Sequence, residues 1–124
     1  MTITTKILVV EDDMLNREML ARRLQRCGFE VLTARDGHEA VEMSRTVWPA
    51  LILMDLTMPG LSGWEAAQLI KADPLTEDIP IIALTAHVGT ADRERALKMG
   101  CDAFETKPVD IEQLLHTMRA FLLR

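Results

Sequence analysis

The stretch Ala50-Leu51-Ile52-Leu53-Met54-Asp55 places five apolar residues directly before a carboxylate. A run that does not alternate suits a strand covered on both faces, because a strand with one wet face reads apolar-polar. Ile7-Leu8-Val9-Val10 reads the same way, and so does the run from Ile79 to Leu84. Val31-Leu32 and Ala103-Phe104 are shorter members of the set. Five such runs, with helical patterns between them, predict a repeated βα order. That order implies an α/β fold with helices on both sides of a parallel sheet.

The intervening segments support this. Residues 14 to 27 carry Leu15, Met19, Leu20 and Leu24 at helical spacing, and residues 37 to 47 carry Ala40, Val41 and Val47. Residues 63 to 72 carry Ala66, Ala67, Leu69 and Ile70. Residues 90 to 99 are charged, with Ala96 and Leu97 as the expected inner face. Residues 110 to 123 give the cleanest amphipathic stripe, through Ile111, Leu114, Leu115, Met118 and Leu122. Asp13, Asp36, Ser62, Thr90 and Asp110 are N-cap candidates. Gly28 and Gly100 suit the left-handed position after a helix. Pro49 and Pro80 push the residue before them toward extended backbone and lead into strands.

With 124 residues, 48% hydrophobic and 27% charged, the chain can bury a core of one domain, read as 1–124 with no output domain. A net charge of −5 argues against direct DNA binding and against docking on anionic membrane. No apolar run reaches membrane-span length, and Met1 to Lys6 lacks a signal-peptide core. The expected location is cytoplasmic. Cys27 and Cys101 lack metal-ligand spacing and read as small residues near helix ends.

In an open parallel sheet, ligands gather beyond the carboxyl ends of the strands. The residues expected there are Glu11-Asp12-Asp13, then Asp55, then Thr85-Ala86-His87, then Lys107-Pro108. Glu11, Asp12 and Asp55 brought together would repel one another. Lys107 offsets one charge, and a hard divalent cation with oxygen ligands, Mg2+, would offset more. An Asp beside that cation could act as a nucleophile toward phosphorus. Thr85 and Lys107 could hydrogen-bond the phosphoryl oxygens, which is the positioning and charge neutralisation that phosphoryl transfer needs. Each residue taken singly has a plain reading as loop acid, turn, cap or surface charge. What favours chemistry is their convergence on one edge of one sheet.

These marks together resemble the receiver domain of bacterial response regulators over nearly the whole chain. They are Ile7 to Asp13, Leu51 to Pro59, Gly60 and Gly63, Ala83-Leu84-Thr85-Ala86 and Lys107-Pro108. The resemblance implies a (βα)5 doubly wound, five-stranded sheet of order 2-1-3-4-5, with Asp55 as phosphoacceptor. It implies Asp12 as a direct Mg2+ ligand, Glu11 acting mostly through water, and the backbone carbonyl of Thr57 as a further ligand. Thr85 is then the switch hydroxyl, Lys107 the amine on the phosphoryl group, and Lys107-Pro108 a cis-peptide candidate. Phe104 matches the aromatic switch position, where Tyr is frequent, and plain core packing is an equal reading of it. Thr57 and His87 fall at positions that bear on phosphate lifetime, and neither is an acid or amide.

The function implied is a phosphorylatable switch of a two-component system or phosphorelay, with no enzymatic turnover beyond its own phosphorylation and slow dephosphorylation. Its donor would be a sensor histidine kinase or phosphotransfer protein, with Met14, Leu15 and the first helix on the donor side, and its output a contact with another protein. The resemblance leaves pairing into a homodimer open. Two alternatives stand beside this. One is an interaction module of the same fold that ignores phosphate. The other is a Mg2+-dependent phosphohydrolase working through an aspartyl-phosphate. A nucleotide-binding reading fails, because no Gly-rich phosphate loop follows the first strand and three acids there would repel a pyrophosphate.

Overall fold

The structure is a computed structural model, and it describes residues 4–56, 58, 60–86 and 89–123. Five strands alternate with five helices: β1 (Lys6–Val10), α1 (Met14–Arg26), β2 (Glu30–Ala34), α2 (Gly37–Thr46), β3 (Leu51–Asp55), α3 (Gly63–Ala72), β4 (Ile81–Thr85), α4 (Thr90–Lys98), β5 (Ala103–Thr106) and α5 (Ile111–Leu122). The strands pair in the order β2-β1-β3-β4-β5, and every pairing is parallel. The expected topology is therefore the observed one.

The apolar runs divide by parity, as a pleated strand requires. Leu8, Val10, Ile52, Met54, Ile81 and Ala83 face a core completed by Ala40 of α2, Ala66, Ala67 and Ile70 of α3, and Ala96 of α4. Ile7, Val9, Leu51, Leu53, Ile82 and Leu84 face a second core completed by Leu24 of α1 and by Leu114 and Met118 of α5. Three helices thus cover one face and two the other. All five residues of β3 and of β4 are buried, which explains why their sequences show no alternation.

Local signals end the elements where expected, with exceptions. The carboxylates or hydroxyl of Asp13, Asp36, Ser62 and Asp110 each accept a backbone N–H from the first turn of the following helix. Gly28 and Gly100 take positive φ values of 96° and 101°. The cap of α4 is Gly89 rather than Thr90, and it supplies no side-chain hydrogen bond. The inward face of α1 carries the expected Leu20 and Leu24 together with Ala21, while Leu15 and Met19 are exposed. Among the described side chains of α4 only Ala96 is buried, and Leu97 faces solvent. Both cysteines are free, but only Cys101 is buried.

One side-chain cluster ties the far edge of the sheet together. The Lys71 ammonium donates to the carbonyls of Glu77 (3.1 Å) and Ile79 (2.7 Å) and pairs with Asp102 at 2.8 Å. Asp102 in turn accepts the N–H of Ile81 at 2.8 Å. One lysine of α3 thereby fixes the entry to β4 and the turn before β5. Nothing in the sequence pattern singled it out.

Candidate functional site

The carboxyl ends of β1, β3, β4 and β5 bring Glu11, Asp12, Asp55, Thr85 and Lys107 to one edge of the sheet. The pairing β1·β3 aligns Val10 with Met54, so the residues that follow, Glu11 and Asp55, sit side by side. Beyond the last β1 pairing, the Glu11 N–H still reaches the carbonyl of Ala34, so the acidic loop leaves the sheet in a fixed direction. Oxygen atoms of Glu11, Asp12 and Asp55 lie within 4.8 Å of one another. Glu11 and Asp55 are buried, at 5% and 3% exposure, whereas Asp12 is open to solvent.

Lys107 enters from the end of β5 and closes this cluster. Its Nζ lies 3.0 and 3.2 Å from the two carboxylate oxygens of Glu11 and 3.3 Å from Asp55 Oδ2. The Lys107–Pro108 bond is cis. The Lys107 N–H donates to the carbonyl of Thr85 at 2.7 Å, so the end of β4 anchors the lysine's backbone. Burial favours the neutral amine at Lys107. Glu11 and Asp55 more than offset this and hold its pKa above the ordinary lysine value. Glu11 shifts in the unusual direction for a carboxyl group. Burial, then its hydrogen bond with Asp55, pushes it from 4.5 up to about 7 against the pull of Lys107.

Thr85 is buried at the end of β4. Phe104 is partly buried against the core that contains Met54 and Ala83, and the register sets it opposite Ala83. Thr57 and His87, read from the sequence as lifetime positions, and the Thr57 carbonyl in particular, lie outside the described residues. Asp13 caps α1 through the N–H of Asn16 at 2.9 Å, and it is Asp12 that completes the acid group. Chemically, three carboxylates with hard oxygen donors and no thiolate or imidazole among them fit a hard divalent cation.

Two features of the site had no role assigned from the sequence. Gly63, quoted there only as a mark of the resemblance, is the first residue of α3 and packs against the chain at the end of β3. A Cβ there would run into the Asp55 carbonyl oxygen and lie 2.6 Å from Leu56 Cα. Arg17 of α1 donates from Nη1 to the carbonyl of Glu11 at 2.9 Å and to that of Asp12 at 3.4 Å. Its signal in the sequence was only a basic residue one helical turn beyond the acids, which is common on any amphipathic helix.

An acid triad and a lysine at the carboxyl edge of a 2-1-3-4-5 sheet define the receiver class of signalling protein. The chain belongs to the response regulator receiver domain family, whose model matches residues 7–119. It is 34% identical over 120 residues to the polar-differentiation response regulator DivK of Brucella ovis, covering 97% of this chain and 98% of that one. Among solved structures, the receiver domain of the sensor histidine kinase PA1611 of Pseudomonas aeruginosa superposes with a TM-score of 0.91 at 31% identity, over 98% of this chain and 100% of that one. That structure holds a magnesium ion coordinated in its active-site cleft. The chemotaxis protein CheY4 of Vibrio cholerae gives a TM-score of 0.91 at 29% identity, over 97% of this chain and 100% of that one. The protein is a phosphorylatable response regulator of two-component signalling, not a turnover enzyme, and receivers of this family take their phosphoryl group from a histidine kinase. Among the described residues no helix is long and apolar enough to cross a membrane.

Proposed function

We propose that Asp55 is the phosphoacceptor, that Glu11, Asp12, Asp55 and the backbone carbonyl of Thr57 hold Mg2+, and that Thr85 and Lys107 receive the phosphoryl oxygens. The observation that carries this reading is the Lys107 ammonium shared between Glu11 and Asp55, beside a third carboxylate within 4.8 Å. When bound, Mg2+ would neutralise part of the charge on the acids and on the incoming phosphoryl group. An Asp55 oxygen attacks phosphorus, the P–N bond to the donor imidazole breaks, and its electron pair stays on the imidazole nitrogen. The Lys107 ammonium then shifts its hydrogen bonds from carboxylate to phosphoryl oxygen. Thr85 turns toward the phosphate, and the space it leaves lets Phe104 move inward, which changes the surface around β5.

The donor is a sensor histidine kinase or a phosphotransfer protein, acting on this chain in the cytoplasm. A groove of about 520 Å3 supports this reading. It runs from Glu11 and Lys107 along Met19, Leu20, Pro108 and Val109, between α1 and the segment that joins β5 to α5. Met14, Leu15 and Met19 are exposed apolar side chains of the same helix, and Met19 lines the groove. The output is a contact with a protein partner. The matched length of the Brucella relative supports action as a single receiver, residues 1–124.

The test is intact mass after incubation with acetyl phosphate and Mg2+. One phosphoryl group should add, and it should be lost in Asp55→Asn and in EDTA. An adduct that survives Asp55→Asn would overturn the acceptor assignment. If there is no adduct and beryllofluoride also fails to bind, the reading gives way to a phosphate-independent module. Release of many phosphates per chain would instead favour the phosphohydrolase.

A further inference from the structure

Arg17 sits one helical turn into α1, yet its guanidinium points back to the loop before the helix. Nη1 lies 2.9 Å from the Glu11 carbonyl and 3.4 Å from the Asp12 carbonyl. The Arg17 N–H also donates to the Asp13 carbonyl at 2.9 Å, as part of the first turn. One residue thereby grips the carbonyls of all three consecutive acids. The neighbouring bonds complete the bracing: the Glu11 N–H is held by Ala34 at 3.1 Å, and the Asp13 carboxylate is used by Asn16. Asp12 and Asp13 both have exposed side chains, and of these two it is Asp12 that stands in the carboxylate cluster.

The choice of acceptor atom matters. A guanidinium on the carboxylates would compete with a cation for the same oxygens. On the carbonyls it fixes the backbone and occupies no carboxylate oxygen. The loop needs such fixing, because Glu11, Asp12 and Asp55 repel one another and an unbraced loop would splay to separate them. A planar, permanently charged group on a short arc of backbone resists that better than a flexible ammonium.

We propose that Arg17 is a positioning residue for the cation site, holding the Glu11–Asp12 backbone so that both carboxylates converge with Asp55. This rests on the Mg2+ reading given above. Groups that orient metal ligands from behind are worth about 10- to 100-fold in metal affinity. The position is unusual in lying on the carbonyl side of the ligands, where the added positive charge alone would weaken a cation.

The test counts free Mn2+ by electron paramagnetic resonance while the protein is titrated, with no phosphodonor present. Arg17→Ala should raise the Mn2+ Kd about tenfold. Arg17→Lys keeps the charge but loses the fork, and it should raise the Kd about threefold. Arg22→Ala removes the same charge from the same helix and should leave the Kd unchanged. A Kd for Arg17→Ala equal to or tighter than wild type would show that the residue acts only as a charge, and would overturn the proposal. Urea melts in EDTA report folding. If Arg17→Ala does not fold, Arg17→Lys decides, and an unchanged Kd there overturns the proposal. Wild-type protein that fails to take Mn2+ would sink the cation reading and this inference together, whereas wild-type binding with unaffected variants sinks this inference alone.

Discussion

Glu11 is a carboxyl group that the fold makes harder to ionise. Burial and the Asp55 carboxylate raise its pKa from 4.5 to about 7. The folded chain therefore binds this proton more tightly than the unfolded chain does. The associated stability is complete below about pH 4.5 and is lost as pH rises through about 7. In EDTA, urea melts should show stability falling by about 2–3 kcal/mol between pH 5 and 8. Metal should act in the opposite sense, since its ligands must be deprotonated, so the gain from Mg2+ should be larger at pH 8 than at pH 5.5. A stability curve that rises across this window in EDTA would contradict the site's electrostatics.

Lys107 is the counterweight in the same cluster, shared between Glu11 and Asp55. Lys107→Met removes the one ammonium those two carboxyl groups share. Labelling by acetyl phosphate should slow about 100-fold, the loss expected when a positioned charge at a reacting group is deleted. A mass time course measures this. At pH 5, where Glu11 keeps its proton, the variant should melt close to wild type, which separates lost chemistry from lost folding.

At the scale of elements, α3 and α4 behave differently. The first residue of α3 is wedged against the acceptor loop, and any side chain at Gly63 must displace the Asp55 peptide or Leu56. Gly63→Ala should cost about 1–3 kcal/mol in urea denaturation, the usual range for overpacking. α4 buries only Ala96 among its described side chains, begins at a glycine with no side-chain cap, and is held toward α3 by Arg95 stacked 4.3 Å from the Trp64 ring. Few buried apolar contacts mean a low local opening energy. Backbone hydrogen exchange should accordingly be fastest, among the five helices, in α4. Slower exchange there than in α5 would refute this.

The elements also show what the sequence made legible. β3 and β4 could be read because continuous apolar runs have one structural explanation in a chain this polar elsewhere. α1 could be placed but only partly oriented. Of Leu15, Met19, Leu20 and Leu24, which match a helical period, Leu20 and Leu24 pack on the core while Leu15 and Met19 face solvent, and Ala21 is buried in addition. Periodicity fixes a stripe only relative to itself, and small residues such as Ala21 score weakly. The acids, Thr85 and Lys107 were legible as the residues that follow buried strands. Arg17 and Lys71 were not, because apart from Asp102, which pairs with Lys71, their partners are backbone carbonyls, and a carbonyl has no letter in the sequence. Thr90 failed as a cap because a good capping side chain one residue too late is indistinguishable by type.

At the scale of the molecule, two cores share one sheet, and β3 lies at its centre with side chains alternating between them. Leu53 is fully buried in the core beneath α1 and α5. Leu53→Ala should destabilise by about 2–5 kcal/mol. Its effect should appear as a lower denaturation midpoint with an unchanged slope, because the same surface is exposed on unfolding.

The ion pair between Glu11 and Lys107 joins residues 96 positions apart. During synthesis the acids emerge with the first half of the chain, and β1 must wait for β3 before it is flanked on both sides. The lysine that gathers those acids follows near the end. A nascent chain paused before residue 107 therefore carries an acidic patch without its internal cation, and it would need solvent ions to quiet that charge. Completion of β5 is thus the moment at which the pocket becomes electrically self-consistent, and ribosome-bound chains of increasing length should acquire protease resistance in one late step.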